Sequence, residues 1–446
     1  MSNLTLEAIH TALLDAFPTE SSLDQMVQFR LNTTLEHVVG DGNLPTKLLA
    51  LLRWVESTGR LDELIQGAVR SNPGNPLLQQ LVQEMNLPIA NDQPPAPNHQ
   101  PPTTIESPMG TMSPDSPFYI ERPADGECKE IFRSGNPFTL YIQAPRQMGK
   151  SSLMQRLLHF AQQEMPSMNV AFVDFEQIAK AQLADIDTFL IGLCLLIGRE
   201  LKVPEKIDDY WSSKYLSPLV KCSDYIFDYL LANVEGHVVI AMDEVEKVLG
   251  LPFQDDFFGM LRTWHNDRAI DKNKARCCLF LSSSTEPELF IQNPNQSPFN
   301  VAHLMVLHSF GPDDVAKLNQ LHGTPLQPEE VKHLYTFLGG HPYLTRQALY
   351  TSAMSQSANP SQSSYRQLVE DATSDESPFR THLQNLWRHI EERPDLRTAL
   401  GQIIHNGKHQ PDQIYYRLKG AGLVRRDGER VRMCNQLYTD YFTQRL

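Results

Sequence analysis

Along the first 88 residues, apolar side chains recur at the three- and four-residue spacing of helices. Leu6, Ile9 and Leu13 make one stripe, Leu48, Leu51, Leu52 and Val55 a second, and Leu61, Leu64 and Ile65 a third. Thr33 followed by Glu36 predicts a capping box that opens a further helix. Gly59 stands where a C-cap is expected. Asn72-Pro73-Gly74-Asn75-Pro76 predicts a tight turn before the last helix. The pattern predicts a compact bundle of five or six short helices over residues 1–88.

From residue 113 the pattern changes. Short continuous apolar runs predict strands at Thr139–Gln143, Val170–Phe175, Val238–Met242 and Cys277–Ser282. Helical stretches lie between them, among them Ser151–Gln163 and Asp256–Trp264. Such alternation predicts a parallel three-layer sheet, with the continuous runs buried on both faces. This α/β region is expected to span 113–308. Residues 309–378 read as helical. The last stretch, 379–446, holds a helix at Pro411–Gly420 and two strand-like runs, Leu423–Arg426 and Glu429–Met433. Asp427-Gly428 between those runs is a hairpin signal, and helix followed by hairpin predicts a winged helix.

Between the two regions the composition shifts. Residues 89–112 hold Pro94, Pro95, Pro97, Pro101, Pro102 and Pro108 with few apolar side chains, which predicts an extended disordered linker. The longest apolar stretch, Thr188–Gly198, falls short of the roughly 18 residues that cross a bilayer and reads as a core helix. The N-terminal MSNLTLEAIH has neither the basic nor the apolar region of a secretion signal. A cytoplasmic protein without a membrane partner is expected. The net charge of −14 over 446 residues argues against a chain devoted to coating nucleic acid. The six cysteines form no CxxC pair, so neither a thiolate metal site nor a disulfide framework is expected.

The chemistry concentrates after the first strand. Ala144-Pro145-Arg146-Gln147-Met148-Gly149-Lys150-Ser151-Ser152 lies between a strand and a helix, the context of a P-loop. Backbone N–H groups of such a loop converge on phosphate at the helix N-terminus. Lys150 would reach the β and γ phosphates of ATP, and Ser151 would ligate Mg²⁺. Gly149 would let the backbone approach without a Cβ clash. Ala144 stands where such loops usually carry their first glycine. Some 90 residues on, Val238–Met242 runs into Asp243-Glu244, a Walker B pair. Asp243 would hold Mg²⁺, and Glu244 would act as general base toward water. Ser284 or Thr285, after the fourth strand, would sense the γ-phosphate or simply form a strand-end turn. Arg262 and Arg268 are either arginine fingers across an interface or solvated surface.

At these residues the chain resembles the bacterial AAA-like, STAND-related P-loop ATPases. The resemblance rests on Ser116 through Arg122, on Ala144 through Ser152, and on Phe257 through His265. It implies an α/β P-loop NTPase of the ASCE three-layer type, followed by a helical lid and a winged helix. It also implies that Arg122 packs near the adenine, and that Pro342, within Leu338 to Leu344, contacts the base. The first 88 residues resemble an effector-associated domain of the first type, a small all-α, death-fold-like adaptor. The stretches that carry this are Ala12 to Pro18, Leu23 to Val27, Gly59 to Leu61 and Asn72 to Pro76.

Together the resemblances imply a signalling ATPase of a bacterial conflict system. It would turn over ATP slowly, self-associate when activated, and recruit a separately encoded effector bearing a similar helical domain. The alternative is a DNA-binding, initiator-like or regulatory ATPase. Its support is the cluster Arg417, Lys419, Arg425, Arg426, Arg430 and Arg432 in the last domain, diluted by Asp427 and Glu429.

Overall fold

The computed structural model describes residues 6–20, 23–24, 26–27, 42–57, 60–72, 75–84, 105–284, 298–358, 364–408 and 410–446. The expected capping box at Thr33 and Glu36, the Gly59 cap, Pro73-Gly74, residues 89–104 of the linker, and Thr285 lie outside them. The chain divides into two compact units, Met1–His99 and Gln100–Leu446.

The first unit contains helices α1 (Leu6–Ala16), α2 (Leu44–Ser57), α3 (Leu61–Ser71) and α4 (Pro76–Glu84). Their apolar stripes meet in one core around Leu13, Leu51, Leu52, Val55, Leu64 and Leu78, all fully buried. Asn75 starts the last helix. Its Oδ1 accepts from the backbone N–H groups of Leu77 and Leu78, each at 3.1 Å. Its Nδ2 donates to Asp15 at 2.8 Å, which ties the cap to α1.

In the second unit five parallel strands form one sheet in the order β2-β3-β4-β1-β5. They are β1 (Thr139–Gln143), β2 (Met168–Asp174), β3 (His237–Asp243), β4 (Cys277–Ser283) and β5 (His303–Val306). Alternate residues serve opposite faces. Tyr141, Ile240 and Leu281 pack with Phe189 of α7 (Ile186–Glu200) and Phe257 of α8 (Gln254–Asp267). Ile142, Val239 and Phe280 pack with Phe132 of α5 (Pro123–Arg133) and Leu157 of α6 (Lys150–Glu164). Helices cover both faces, which is why the strands read as unbroken apolar runs. β5 breaks that rule. It is an edge strand with exposed His303, Leu304 and Val306, although Leu304 to Leu307 is a continuous apolar run.

The order places β4 between the P-loop strand β1 and the Walker B strand β3, the ASCE arrangement. Its ligand position is the crevice at the carboxyl ends of the strands.

Beyond the sheet lie α9 (Pro312–Leu321), α10 (Pro328–Leu338) and α11 (Pro342–Ala358). Then come α12 (Arg380–Glu391), α13 (Pro394–Asn406) and α14 (Asp412–Gly420), the antiparallel hairpin β6 (Val424–Asp427) and β7 (Arg430–Met433), and α15 (Gln436–Thr443). These elements share a single apolar core that runs from Val315 and Leu334 to Leu418, Val431 and Phe442. Phe118 and Ile120, from the segment before α5, are inserted into the same core.

The end of the expected linker differs from the sequence reading. Residues 105–112 are seated on the second unit. Ile105 and Met112 pack against its core, the Met112 N–H donates to Ser152 Oγ at 3.1 Å, and Glu106 accepts from Ser116 at 2.6 Å. Two apolar anchors and a paired carboxylate hold a segment whose proline content alone reads as free chain.

Candidate functional site

β1 ends at Gln143 and α6 begins at Lys150, so the predicted loop spans the crevice between them. Two left-handed residues shape it, Gln147 at φ 62° and Gly149 at φ 92°. A Cβ at Gly149 would come within 3.2 Å of the Arg122 guanidinium. The left-handed backbone is what calls for glycine here, since the end of the flexible Arg122 side chain can shift by a few tenths of an ångström. The substituted position behaves differently. Ala144 is buried and outside the positive-φ set, so an L side chain there costs no backbone strain.

Arg122 is 9% exposed and donates from Nη1 to the Met148 carbonyl at 2.8 Å. Its Nε is buried without a partner. The structure therefore places Arg122 against the P-loop backbone, where it anchors the loop to the start of α5. Tyr119, three residues earlier, donates to Asp125 at 2.7 Å, and Asp125 in turn accepts from the Arg122 N–H at 2.9 Å.

Lys150 is almost fully buried, with Nζ 3.8 Å from the Glu244 carboxylate. Asp243, at the tip of β3, accepts on Oδ1 from Ser282 Oγ at 2.6 Å and from the Glu244 N–H at 3.1 Å. Both donors sit on one oxygen, which suits the other to a hydrated cation such as Mg²⁺. Glu244 takes the left-handed conformation, φ 56°, at the start of the 3-10 turn Val245–Val248. Burial, and then the negative Glu246 beside it, push the Glu244 carboxyl up to about 8 against the pull of Lys150. Burial also opposes ionisation of Glu246. The Lys150 charge and hydrogen bonds from Glu244 and Ser284 outweigh it and hold Glu246 below the usual carboxylate range.

Ser284, the expected phosphate sensor, is bonded to an acid of the turn after β3. Its Oγ and its backbone N–H, the latter at 2.9 Å, both donate to Glu246. Arg268 is half-buried. Its guanidinium donates to Thr139 Oγ1 at 2.9 Å, at the opposite end of β1 from the P-loop. Arg262 is half-buried on α8.

Above the loop lies a cavity of about 420 Å³, within the range of about 300–1,000 Å³ typical of small-molecule sites. Arg146 through Ser152 form its floor, with Glu244 beside them. Phe118, Ile120 and Phe310 give an apolar wall, and Pro342 and Arg346 of α11 face it. His382, Asn385, Leu386 and His389 of α12 also line it. The structure thus brings together Arg122, the P-loop, Glu244 and Pro342 around one cavity.

Sequence reasoning missed Glu246, His382 and His389. Glu246 carried a weak signal, a second acid two residues after Glu244. The histidines carried none. His382 is deeply buried, which drives its pKa well below the ordinary histidine value, and the nearby His341 adds to this. The neutral ring has one donor and one acceptor. Its Nδ1 pairs with Gln147 Oε1 of the P-loop, and its Nε2 with the Tyr438 hydroxyl at 2.6 Å.

The sequence profile of the AAA-like domain family matches residues 107–444, the whole α/β region and everything after it. The chain belongs to the AAA-like domain family. Residues 1–86 match a second profile, effector-associated domain 1. An uncharacterized WD repeat-containing protein of Synechocystis sp. is 27% identical over 358 residues, which cover 75% of this chain and 29% of that protein. The chain therefore spans less than a third of that relative's length.

Among solved structures, a Walker-type ATPase of Pyrococcus abyssi is similar at 16% identity and TM-score 0.49, covering 73% of this chain and 96% of that one. A STAND protein with a tetratricopeptide repeat sensor from Pyrococcus horikoshii is similar at 16% identity and TM-score 0.35, covering 74% and 43%. No described helix is long and apolar enough to cross a membrane.

Proposed function

We propose that this AAA-like protein is a signalling ATPase of a bacterial conflict or defence system, built as an ATP-controlled switch. The observation that supports the reading is that α12 lines the nucleotide-sized cavity and that its His382 is bonded to Gln147 inside the P-loop. An element that lines the cavity and touches the phosphate loop can respond to what the loop holds.

In this reading Lys150 and the loop N–H groups bind the β and γ phosphates, and Ser151 and Asp243 hold Mg²⁺, which neutralises phosphate charge when bound. Water attacks the γ-phosphorus, the bond to the β–γ bridging oxygen breaks, and the water's proton passes to the ionised form of Glu244, which its raised pKa of about 8 makes the minority form near pH 7 and the stronger base. ADP and phosphate result. We read residues 113–308 as the ATPase core, 309–378 as the lid and 379–446 as a winged helix. The lid and the last domain share one apolar core, which supports their moving as one body. Opening then occurs at the seam with the P-loop, where a Cβ on Gly422 would come within 2.8 Å of Pro145. Opening frees the chain to self-associate. The N-terminal domain then clusters a separately encoded effector that carries a similar helical domain, which raises its local concentration.

Light-scattering chromatography with and without ATP tests this. Lys150→Ala is expected to lose nucleotide binding and assembly, and Glu244→Gln to hold the ATP-bound assembled form. Unchanged turnover and assembly in Glu244→Gln would remove hydrolysis as the timer. The adaptor role is tested by co-purification with proteins encoded beside this chain, of which one is expected to carry a second effector-associated domain.

A second reading is DNA binding through the hairpin, where Arg425 and Arg430 are exposed. Two neighbouring arginines are already matched by acids, Arg432 with Asp427 at 2.9 Å and Arg426 with Asp412 at 3.3 Å. Lack of DNA retention by the full chain at low salt eliminates this reading.

A further inference from the structure

The acids at the end of β3 and the serines at the end of β4 are stitched together pairwise. Ser282 Oγ donates to Asp243 at 2.6 Å, and Ser284 donates to Glu246 through both its hydroxyl and its N–H. Serines two apart on a strand face the same side, so both reach toward β3. On the β3 side the left-handed Glu244 turns the chain, which brings the Glu246 carboxyl back to the sheet. One Glu246 oxygen takes both Ser284 donors, while the other, Oε2, is buried without a donor. Glu246 stands two residues beyond Glu244 in this turn, and the Lys247 N–H donates back to the Glu244 carbonyl at 3.0 Å. Glu246 thus joins the turn that carries the proposed base to the end of β4, and neither Glu246 nor Ser284 lines the cavity.

We propose that Glu246 is a positioning residue for hydrolysis, holding Glu244 in place for water by clamping the turn after β3 to Ser284 of β4. The inference rests on the reading of Glu244 as the base. It also assigns Ser284 a role other than direct phosphate contact. Glu246 lies outside the lining of the cavity. It sets where the acceptor of the water's proton stands, and a misplacement of about 1 Å costs up to about 100-fold in rate.

The test uses the full-length chain, with phosphate release for turnover and a fluorescent ATP analogue for binding. Glu246→Ala is expected to lower kcat by about 10- to 100-fold and leave the analogue's Kd within about twofold. Glu246→Gln keeps an oxygen acceptor for Ser284 and is expected to recover most of the loss. Ser284→Ala should cost less than Glu246→Ala, and the double variant no more than Glu246→Ala alone, because both act through one contact. Wild-type kcat in Glu246→Ala overturns the proposal. So does an equal loss of binding and turnover with no recovery in Glu246→Gln, which marks a merely structural residue. Glu244→Gln is measured alongside. If it turns over normally, or if the wild type shows no turnover above Lys150→Ala, the base reading and the proposal fall together. If Glu244→Gln is dead and Glu246→Ala is not, only the proposal falls.

Discussion

The contact between His382 and Gln147 can be broken from either side, and the two sides predict different outcomes. His382→Ala deletes a ring that is 6% exposed and leaves the Tyr438 hydroxyl, on a side chain 1% exposed, without its partner. An orphaned buried hydroxyl costs about 1–3 kcal/mol. The ring also stacks on Tyr438, with centroids 5.6 Å apart, so lost packing adds to this. Most of that loss falls on the last domain itself. Gln147 is exposed, so water can enter where its amide is deleted and take over the bond from His382 Nδ1. Gln147→Ala therefore removes only the bond across the seam, about 0.5–1.5 kcal/mol. That amounts to about a 2- to 12-fold rise in the undocked population.

Stopped-flow release of a fluorescent ATP analogue, chased with excess ATP, reads the undocked population. Gln147→Ala is expected to release about 2- to 12-fold faster with an unchanged melting temperature. His382→Ala should release faster by a similar factor and also melt earlier. The double variant should release no faster than His382→Ala alone. Release at the wild-type rate in Gln147→Ala, or fully additive effects in the double variant, would refute the idea that this bond holds the domain on the P-loop.

Other outcomes follow from single positions. Gly340→Ala would place a Cβ 2.1 Å from the Phe310 carbonyl in a backbone at φ 66°, so loss of soluble folded protein or a large drop in melting temperature is expected. Asn75→Ala removes the cap of α4, and thermal or urea unfolding should show about 1 kcal/mol lost from the Met1–His99 unit. Burial lowers His341 to about 4 from its ordinary 6.5, so the unfolded chain binds the proton first as pH falls. Its contribution is intact above about pH 7 and is lost between 6.5 and 4, with a slope of up to about 1.4 kcal/mol per pH unit. Urea midpoints at pH 7, 6 and 5 should fall less steeply in His341→Gln. Equal slopes would contradict the burial argument.

Much of the molecule was legible because it depends on local rules. A P-loop needs a small residue at a left-handed turn, a lysine and a helix start, and Gly149, Lys150 and α6 stand together in the chain. A strand buried on both faces must be apolar throughout, so β1, β3 and β4 announced themselves. Asp243 and Glu244 were readable because a strand tip is a fixed place relative to the strand. The edge strand β5 was not singled out, since an apolar run of four residues, Leu304 to Leu307, is too short to tell a strand from a helix segment. Residues 105–112 were read as free linker because proline content says nothing about what a distant surface offers to Ile105 and Met112.

The chain sequence alone determined the P-loop, the Walker B pair and the two-part organisation, since each rests on residues close together or on a repeating pattern. Tertiary structure alone decided which groups meet. Ser284 turned out to serve Glu246, and Arg268 to brace the far end of β1. His382, 235 residues from Gln147, turned out to bond to it beside the cavity. Contacts at that separation arise from packing two bodies against each other. No spacing in the chain encodes them, because what brings those side chains together is the burial of the helices that carry them.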